Sequence, residues 1–217
     1  MARRRCADSR CHTFTVSSIR PFQPADRDDV YAICVRTGAS GQDATGAYSD
    51  DDLLPDVFAG PYVAYQPDLA FVVDTGEHVA GYVIAVADSR AFADWYEAEW
   101  LPGFRAKYPV EQARDDAERQ AIGFGLDVRE AIVPEVDRFP AHLHIDLLPE
   151  LQGQGFGRAL IRTLLAALRD RGVPGVYLTM SPSNHGARAF YERLGFTELP
   201  SSTPDAPALA IATDARL

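Results

Sequence analysis

Cysteine is scarce in this 217-residue sequence, which holds only Cys6, Cys11 and Cys34 and no C-x-x-C pair. An odd number without paired spacing argues against a disulfide framework and for a reduced compartment, so the cytoplasm is the expected location. Long apolar runs are missing too: no stretch approaches the ~18 residues of a membrane span, and the arginines at 3–5 are not followed by the apolar core of a secretory signal. Basic charge is also short. With 21 Lys and Arg against 31 Asp and Glu, the net charge is −10, which disfavours nucleic acid and anionic membranes as partners. No internal repeat or low-complexity block occurs.

What is present is apolar content of 47%, enough for one well-buried core. The expected organisation is a loose tail over residues 1–12 and one domain over 13–217. Residues 14–20 are β-prone and stop at Pro21. Pro24 then opens a helix with Asp26, Asp28 and Asp29 in its first turn and Val30, Ile33, Cys34 and Thr37 on its inner face. Gly38 suits the position just past its end, and Cys34 reads as a small buried hydrophobe.

After a Gly/Asp/Ser-rich loop and a short helix at 53–58, two apolar runs at 69–74 and 79–87 flank Thr75-Gly76-Glu77-His78 and predict a hairpin. Residues 89–138 abandon the strand pattern. Phe92, Tyr96 and Trp100 recur every four residues on a helix that Pro102 is expected to end, and 111–122 offers a second helix. This reads as a helical insertion whose aromatic stripe packs on the sheet rather than forming a lid.

The stretch 139–171 carries the chemistry. His142, His144 and Asp146 alternate with Leu143, Ile145 and Leu147, so the three ionisable groups leave one face of one strand. Such groups are costly to bury unpaired and readily line a cleft. The bend that follows reads Gln152-Gly153-Gln154-Gly155-Phe156-Gly157-Arg158, a Q-x-x-G-x-G whose glycines let backbone N–H groups turn towards an anion at a helix N-terminus. Leu160, Ile161, Leu164, Leu165 and Leu168 form the apolar face of that helix, and Gly172 and Pro174 stop it. A strand at 176–180 completes a β-α-β unit, and a helix at 184–194 and strands at 196–199 and 208–212 close the chain.

The Q-x-x-G-x-G after a strand, the next parallel strand, Asn184, and Tyr191 within Ala189-Phe190-Tyr191-Glu192-Arg193-Leu194-Gly195-Phe196 together resemble the GNAT N-acetyltransferase superfamily over residues 13–213. The resemblance implies an α/β (α+β) fold with a central mixed twisted sheet of about seven strands flanked by helices, and places 89–138 between the third and fourth strands. It implies acetyl-CoA as co-substrate, its pantetheine arm on the backbone of Leu147 and Leu148 and its pyrophosphate on residues 152–157, with Arg158 a further cofactor contact. Asn184 matches a cofactor contact, and Tyr191 matches the usual general acid.

His142 and His144 are similar to the paired strand histidines of serotonin N-acetyltransferase. The wider pattern, preceded by Trp95 and Trp100-Leu101-Pro102, is similar to the acetyltransferase-like C-terminal domain of O-GlcNAcase and its free-standing bacterial relatives. His142-x-His144-x-Asp146 also resembles the first signature of metallo-β-lactamase-type hydrolases. That signature continues with a second histidine where this chain has Leu147, and no metal is expected.

The expected activity is direct transfer of an acetyl group to a primary amine on a small molecule or peptide, with His144, His142 or Asp146 as base and Tyr191 as acid. The alternative is a module that keeps the fold and the cofactor but transfers nothing.

Overall fold

A computed structural model describes residues 17–217. The tail expected at 1–12, Cys6, Cys11 and the first residues of the opening strand lie outside the described residues.

In chain order the elements are β1 (Ser18–Pro21), α1 (Arg27–Thr37), α2 (Leu53–Phe58), α3 (Gly60–Tyr65), β2 (Ala70–Asp74) and β3 (Val79–Val86). Next come α4 (Ser89–Trp95), α5 (Leu101–Lys107), α6 (Asp116–Leu126), β4 (Ala141–Leu147) and α7 (Phe156–Asp170). β5 (Gly175–Thr179), α8 (His185–Arg193), β6 (Thr197–Glu198) and β7 (Ala208–Ala212) close the chain. The strands form one mixed sheet in the order β1-β2-β3-β4-β5-β7-β6.

β3 is buried along its whole length, as its unbroken apolar sequence requires of a strand covered on both faces. α7 covers one face. Its Leu160, Ile161, Leu164, Leu165 and Leu168 are all buried, while Arg162 and Arg169 stay outside. α1, α2 and α3 lie on the other face, where Tyr62 of α3 reaches the histidines of β4.

The parallel contact between β4 and β5 is short: only Ala141↔Val176 and His142↔Tyr177 pair. Each strand then follows its antiparallel neighbour, β4 with β3 as far as Leu147 and β5 with β7 as far as Thr179. The two strands diverge, and a backbone edge is left open between them.

Four local expectations differ from the structure. Gly38 is not left-handed (φ −68); a Cβ there would come within 2.4 Å of Leu54 Cδ1, so close approach of α1 and α2 is what requires glycine. Pro102 does not end its helix. A π turn at Tyr96–Trp100 precedes it, and Pro102 falls in the first turn of α5, where a missing N–H disturbs no bond. The second helix of this region starts later than expected, at Asp116, because Asp115 caps it by accepting the Glu118 N–H. α3 was not anticipated; Pro61 falls in its first turn. The aromatic stripe does pack inward, with Phe92 and Tyr96 each 1% exposed.

Leu164 is fully buried under the sheet. Leu164→Ala is expected to lower unfolding stability by about 2–5 kcal/mol, against less than ~0.5 kcal/mol for the exposed Arg162→Ala. Urea denaturation of the two variants measures the contrast.

Candidate active site

The opening between β4 and β5 leads into a cleft of about 920 Å³. Its floor is the bend before α7. Gly153 and Gly155 have φ of 74 and 87, backbone that favours glycine, and nothing lies within 4 Å of where their Cβ atoms would be. Gly157 is glycine for a different reason: a Cβ would meet Phe190 Cε2 at 2.9 Å and Leu147 Cδ1 at 3.3 Å. It lets the N-terminus of α7 settle against β4 and α8.

The first helical bond of α7 is donated by Ala159 to Gly155. The six preceding amides, Gly153 to Arg158, donate to no acceptor among the described residues. Such a row at the positive end of a 15-residue helix is a setting that favours an anion. Gln152 Nε2 donates to Leu147 O at 3.0 Å and so ties the bend to the end of β4.

Charge in the cleft opposes that of the whole molecule. Arg158 and Arg193 line it, and Asp146 is the one carboxylate among the described lining residues. An acidic protein thus presents a basic entrance to a polyanion.

The far wall is α8. Asn184 lines the cleft and caps this helix, its Oδ1 accepting the Ala187 N–H at 3.0 Å. Tyr191 is 7% exposed, lines the cleft, and its hydroxyl has no hydrogen-bond partner among the described residues. Burial, with the charge of Asp146 adding to it, raises its pKa, so the phenol keeps its proton. The entrance is bridged by hydroxyls: Ser40 Oγ is 2.9 Å from Ser183 Oγ, which is 2.8 Å from Ser181 Oγ. Ser40 has φ 54 in a tight turn, strained backbone for a side-chain-bearing residue.

β4 divides the expected catalytic residues. Asp146 lines the cleft and accepts the Tyr82 hydroxyl at 2.6 Å; burial raises its pKa, opposed by the Tyr82 and Thr37 hydroxyls. His142 and His144 lie further back and do not line the cleft. Burial lowers His142 to about 3, with His144 contributing, and lowers His144 to about 4. Both rings are neutral at pH 7. Tyr62 Oη lies 2.8 Å from His142 Nε2 and 2.9 Å from His144 Nε2, and Ser89 Oγ lies 2.7 Å from His142 Nδ1. Beside His144 stand Phe58, at 5.6 Å between ring centroids, and then Phe124, 53% exposed.

Of the other expected cofactor contacts, Leu147, Gln152, Gly153, Gly155, Gly157 and Arg158 line the cleft, whereas Leu148, Gln154 and Phe156 do not. Leu148 is buried and donates its amide to Ala80 O at 2.9 Å, so alternation along the strand turns it towards β3 and away from the open edge. Ser40, Tyr62, Ser89, Phe124 and Arg193 were not anticipated. Only the Gly/Ser content around Ser40 offered a signal, of a turn.

Comparison with known proteins agrees with this geometry. Residues 42–196 match the Acetyltransferase (GNAT) family. The chain is 24% identical over 190 residues to Protein O-GlcNAcase of Rattus norvegicus, covering 86% of this chain but only 21% of that protein, so it spans about a fifth of that relative's length. It is 48% identical over 127 residues to the [Ribosomal protein bS18]-alanine N-acetyltransferase of Escherichia coli K12, which covers 58% of this chain and 78% of that one. The crystal structure of SsHAT superposes with a TM-score of 0.86 at 42% identity, over 92% of this chain and 100% of that one. The sheet that parts between β4 and β5, the glycine bend at the foot of the gap and the matched span together carry one conclusion: the chain belongs to the acetyltransferase (GNAT) family.

Proposed function

We propose that this chain transfers an acetyl group from acetyl-CoA directly to the primary amine of a small molecule or peptide. The observation that carries the reading is the row of unengaged amides in the bend, of which Gly153, Gly155, Gly157 and Arg158 line the same cleft as the unpartnered Tyr191 hydroxyl and the Asp146 carboxyl. Acetyl-CoA supplies an activated thioester carbonyl and a thiolate leaving group. Gly153 to Arg158 fit its pyrophosphate, Arg158 and Arg193 add positive charge, and the open edge of β4 at Leu147 fits the pantetheine arm.

Positioning supplies most of the rate, and no covalent enzyme intermediate is needed. The chain's own groups then move two protons. As the carbon–nitrogen bond forms and the carbon–sulfur bond breaks, a β4 side chain accepts the amine proton and Tyr191 O–H donates to the departing sulfur. His142 does not reach the acceptor, since both its ring nitrogens are engaged inside the core. His144 keeps Nδ1 without a partner among the described residues, and Asp146 faces the cleft, so the base is one of these two. Cys34, a buried free thiol, fits a reduced compartment such as the cytoplasm.

Gly155→Glu places a side chain and negative charge at a φ of 87 in the bend. It is expected to abolish the rise in melting temperature that acetyl-CoA causes in the parent; an unchanged rise would remove the bend from cofactor binding. Tyr191→Phe is expected to lower kcat by about 10²–10⁴-fold while the Kd for acetyl-CoA stays the same. Undiminished turnover in the variant would take Tyr191 out of the mechanism, and no acetylation of any amine by the parent would leave the binding module as the better reading.

The neutral histidines have a signature in stability. The unfolded chain takes up protons near the ordinary histidine value of 6.5, but the folded rings resist down to about 4 and about 3. As pH falls from 6.5 towards 4, the unfolded state binds more protons, and each ring removes up to ~1.4 kcal/mol of stability per pH unit. Denaturant titrations across this window are expected to show a shallower slope for His142→Phe than for the parent. Asp146, raised rather than lowered, works in the opposite sense in both proteins and cancels in the comparison.

A further inference from the structure

His142 and His144 do not touch each other through their ring nitrogens; Tyr62 stands between them, within 2.8 Å of one Nε2 and 2.9 Å of the other. A phenol has one proton, so it donates to one ring and accepts from the other. Which way round this runs is decided two bonds away. Ser89 Oγ, 1% exposed as a residue, lies 2.7 Å from His142 Nδ1 and 2.7 Å from Pro140 O. A carbonyl can only accept, so the serine hydroxyl donates to Pro140 and its oxygen must accept from His142 Nδ1–H.

The remaining bonds follow in order. His142 Nε2 is then unprotonated and accepts from Tyr62 O–H, and Tyr62 Oη accepts from His144 Nε2–H. Reversing the chain would turn the Ser89 proton away from Pro140 and leave two oxygens 2.7 Å apart, in a buried site, with no hydrogen between them. The far end is His144 Nδ1. It bonds to no described residue, and among the described residues no buried polar side-chain atom lacks a partner, so this nitrogen reaches solvent. Phe58 packs on the same ring, and the exposed Phe124 packs on Phe58.

We propose that Tyr62 and Ser89 are positioning residues: through four hydrogen bonds ending on the Pro140 carbonyl, they hold His144 as its Nε2–H tautomer and present its Nδ1 lone pair to the acceptor amine. This rests on the acetyl-transfer reading only for what meets Nδ1; the direction of the chain stands without it. The bridge makes the conserved-volume change Tyr62→Phe informative, because it keeps the ring packed on Phe92 (centroids 4.8 Å apart) and removes only the hydroxyl.

The test is the long-range ¹H–¹⁵N correlation spectrum of the ¹⁵N-labelled full chain at pH 7, with imidazole signals assigned from His142→Gln and His144→Gln. His142 is expected to carry its proton on Nδ1 and His144 on Nε2. In Tyr62→Phe, His144 is expected to become a mixture of tautomers, with kcat down about tenfold or more and the KM for acetyl-CoA unchanged. Ser89→Ala, at the other end, is expected to release His142 in the same way and serves if Tyr62→Phe does not fold. A parent spectrum with His142 protonated on Nε2, or His144 on Nδ1, overturns the proposal, as does a Tyr62→Phe spectrum in which His144 is unchanged. Spectra as expected from a protein that acetylates no amine would leave the chain standing and remove the transferase reading instead.

Discussion

The parting of β4 from β5 is the constraint on which the rest depends. The pair holds for two residues and then each strand keeps its antiparallel partner, so the sheet stays continuous on both sides of a gap. The gap exposes strand backbone at the middle of a sheet, where it is otherwise always paired, and it is the place where a bound chain of polar groups can complete the ladder. The candidate site is arranged around it: the glycine bend at its foot, α8 with Tyr191 on one wall, and Asp146 on the other. Gly157 makes the arrangement tight, since a side chain there would push α7 off Phe190 and Leu147.

Electrostatics in the cleft run against the global charge. A molecule of net −10 gathers Arg158, Arg193 and unengaged amides of the bend at one opening. The acidic remainder repels polyanions elsewhere on the surface, while the local field and the helix dipole favour negative charge at this opening. At the inner end the sign changes again, with Asp146 close to the neutral histidines. Burial pushes the carboxyl up and the imidazoles down, so both kinds of group are biased towards their uncharged forms.

That bias explains why a polar row on a central strand is tolerated. His142, His144 and Asp146 each find a hydroxyl, from Tyr62, Ser89 and Tyr82, and no charge is left buried alone. Such a network is stabilising only when every member is satisfied, which ties the helical region after β3 to the active site. Ser89 opens that region as the first residue of α4, and Phe124 near its end borders His144 through Phe58. The segment 89–138 therefore contributes core through Phe92 and Tyr96, and through Ser89 it joins the hydrogen-bonded row on β4.

Sequence alone determined the features whose physics is local. The 3.6-residue periodicity of α7, the alternation along β4 and the glycine bend before α7 are each set by neighbours a few residues away, and each was legible. Pro102 and Gly38 misled because local rules have tertiary exceptions: a π turn absorbed the proline, and a close helix contact rather than a turn required the glycine. Only the tertiary structure decided what the strand histidines do. Their partners lie 80, 82 and 53 residues away, and nothing local marks Tyr62 or Ser89 as one. A hydrogen bond across such a separation is fixed by how α3 and α4 pack against β4, and no local pattern encodes it. The glycine bend could be read from the chain, and the partners of the strand histidines had to be seen folded.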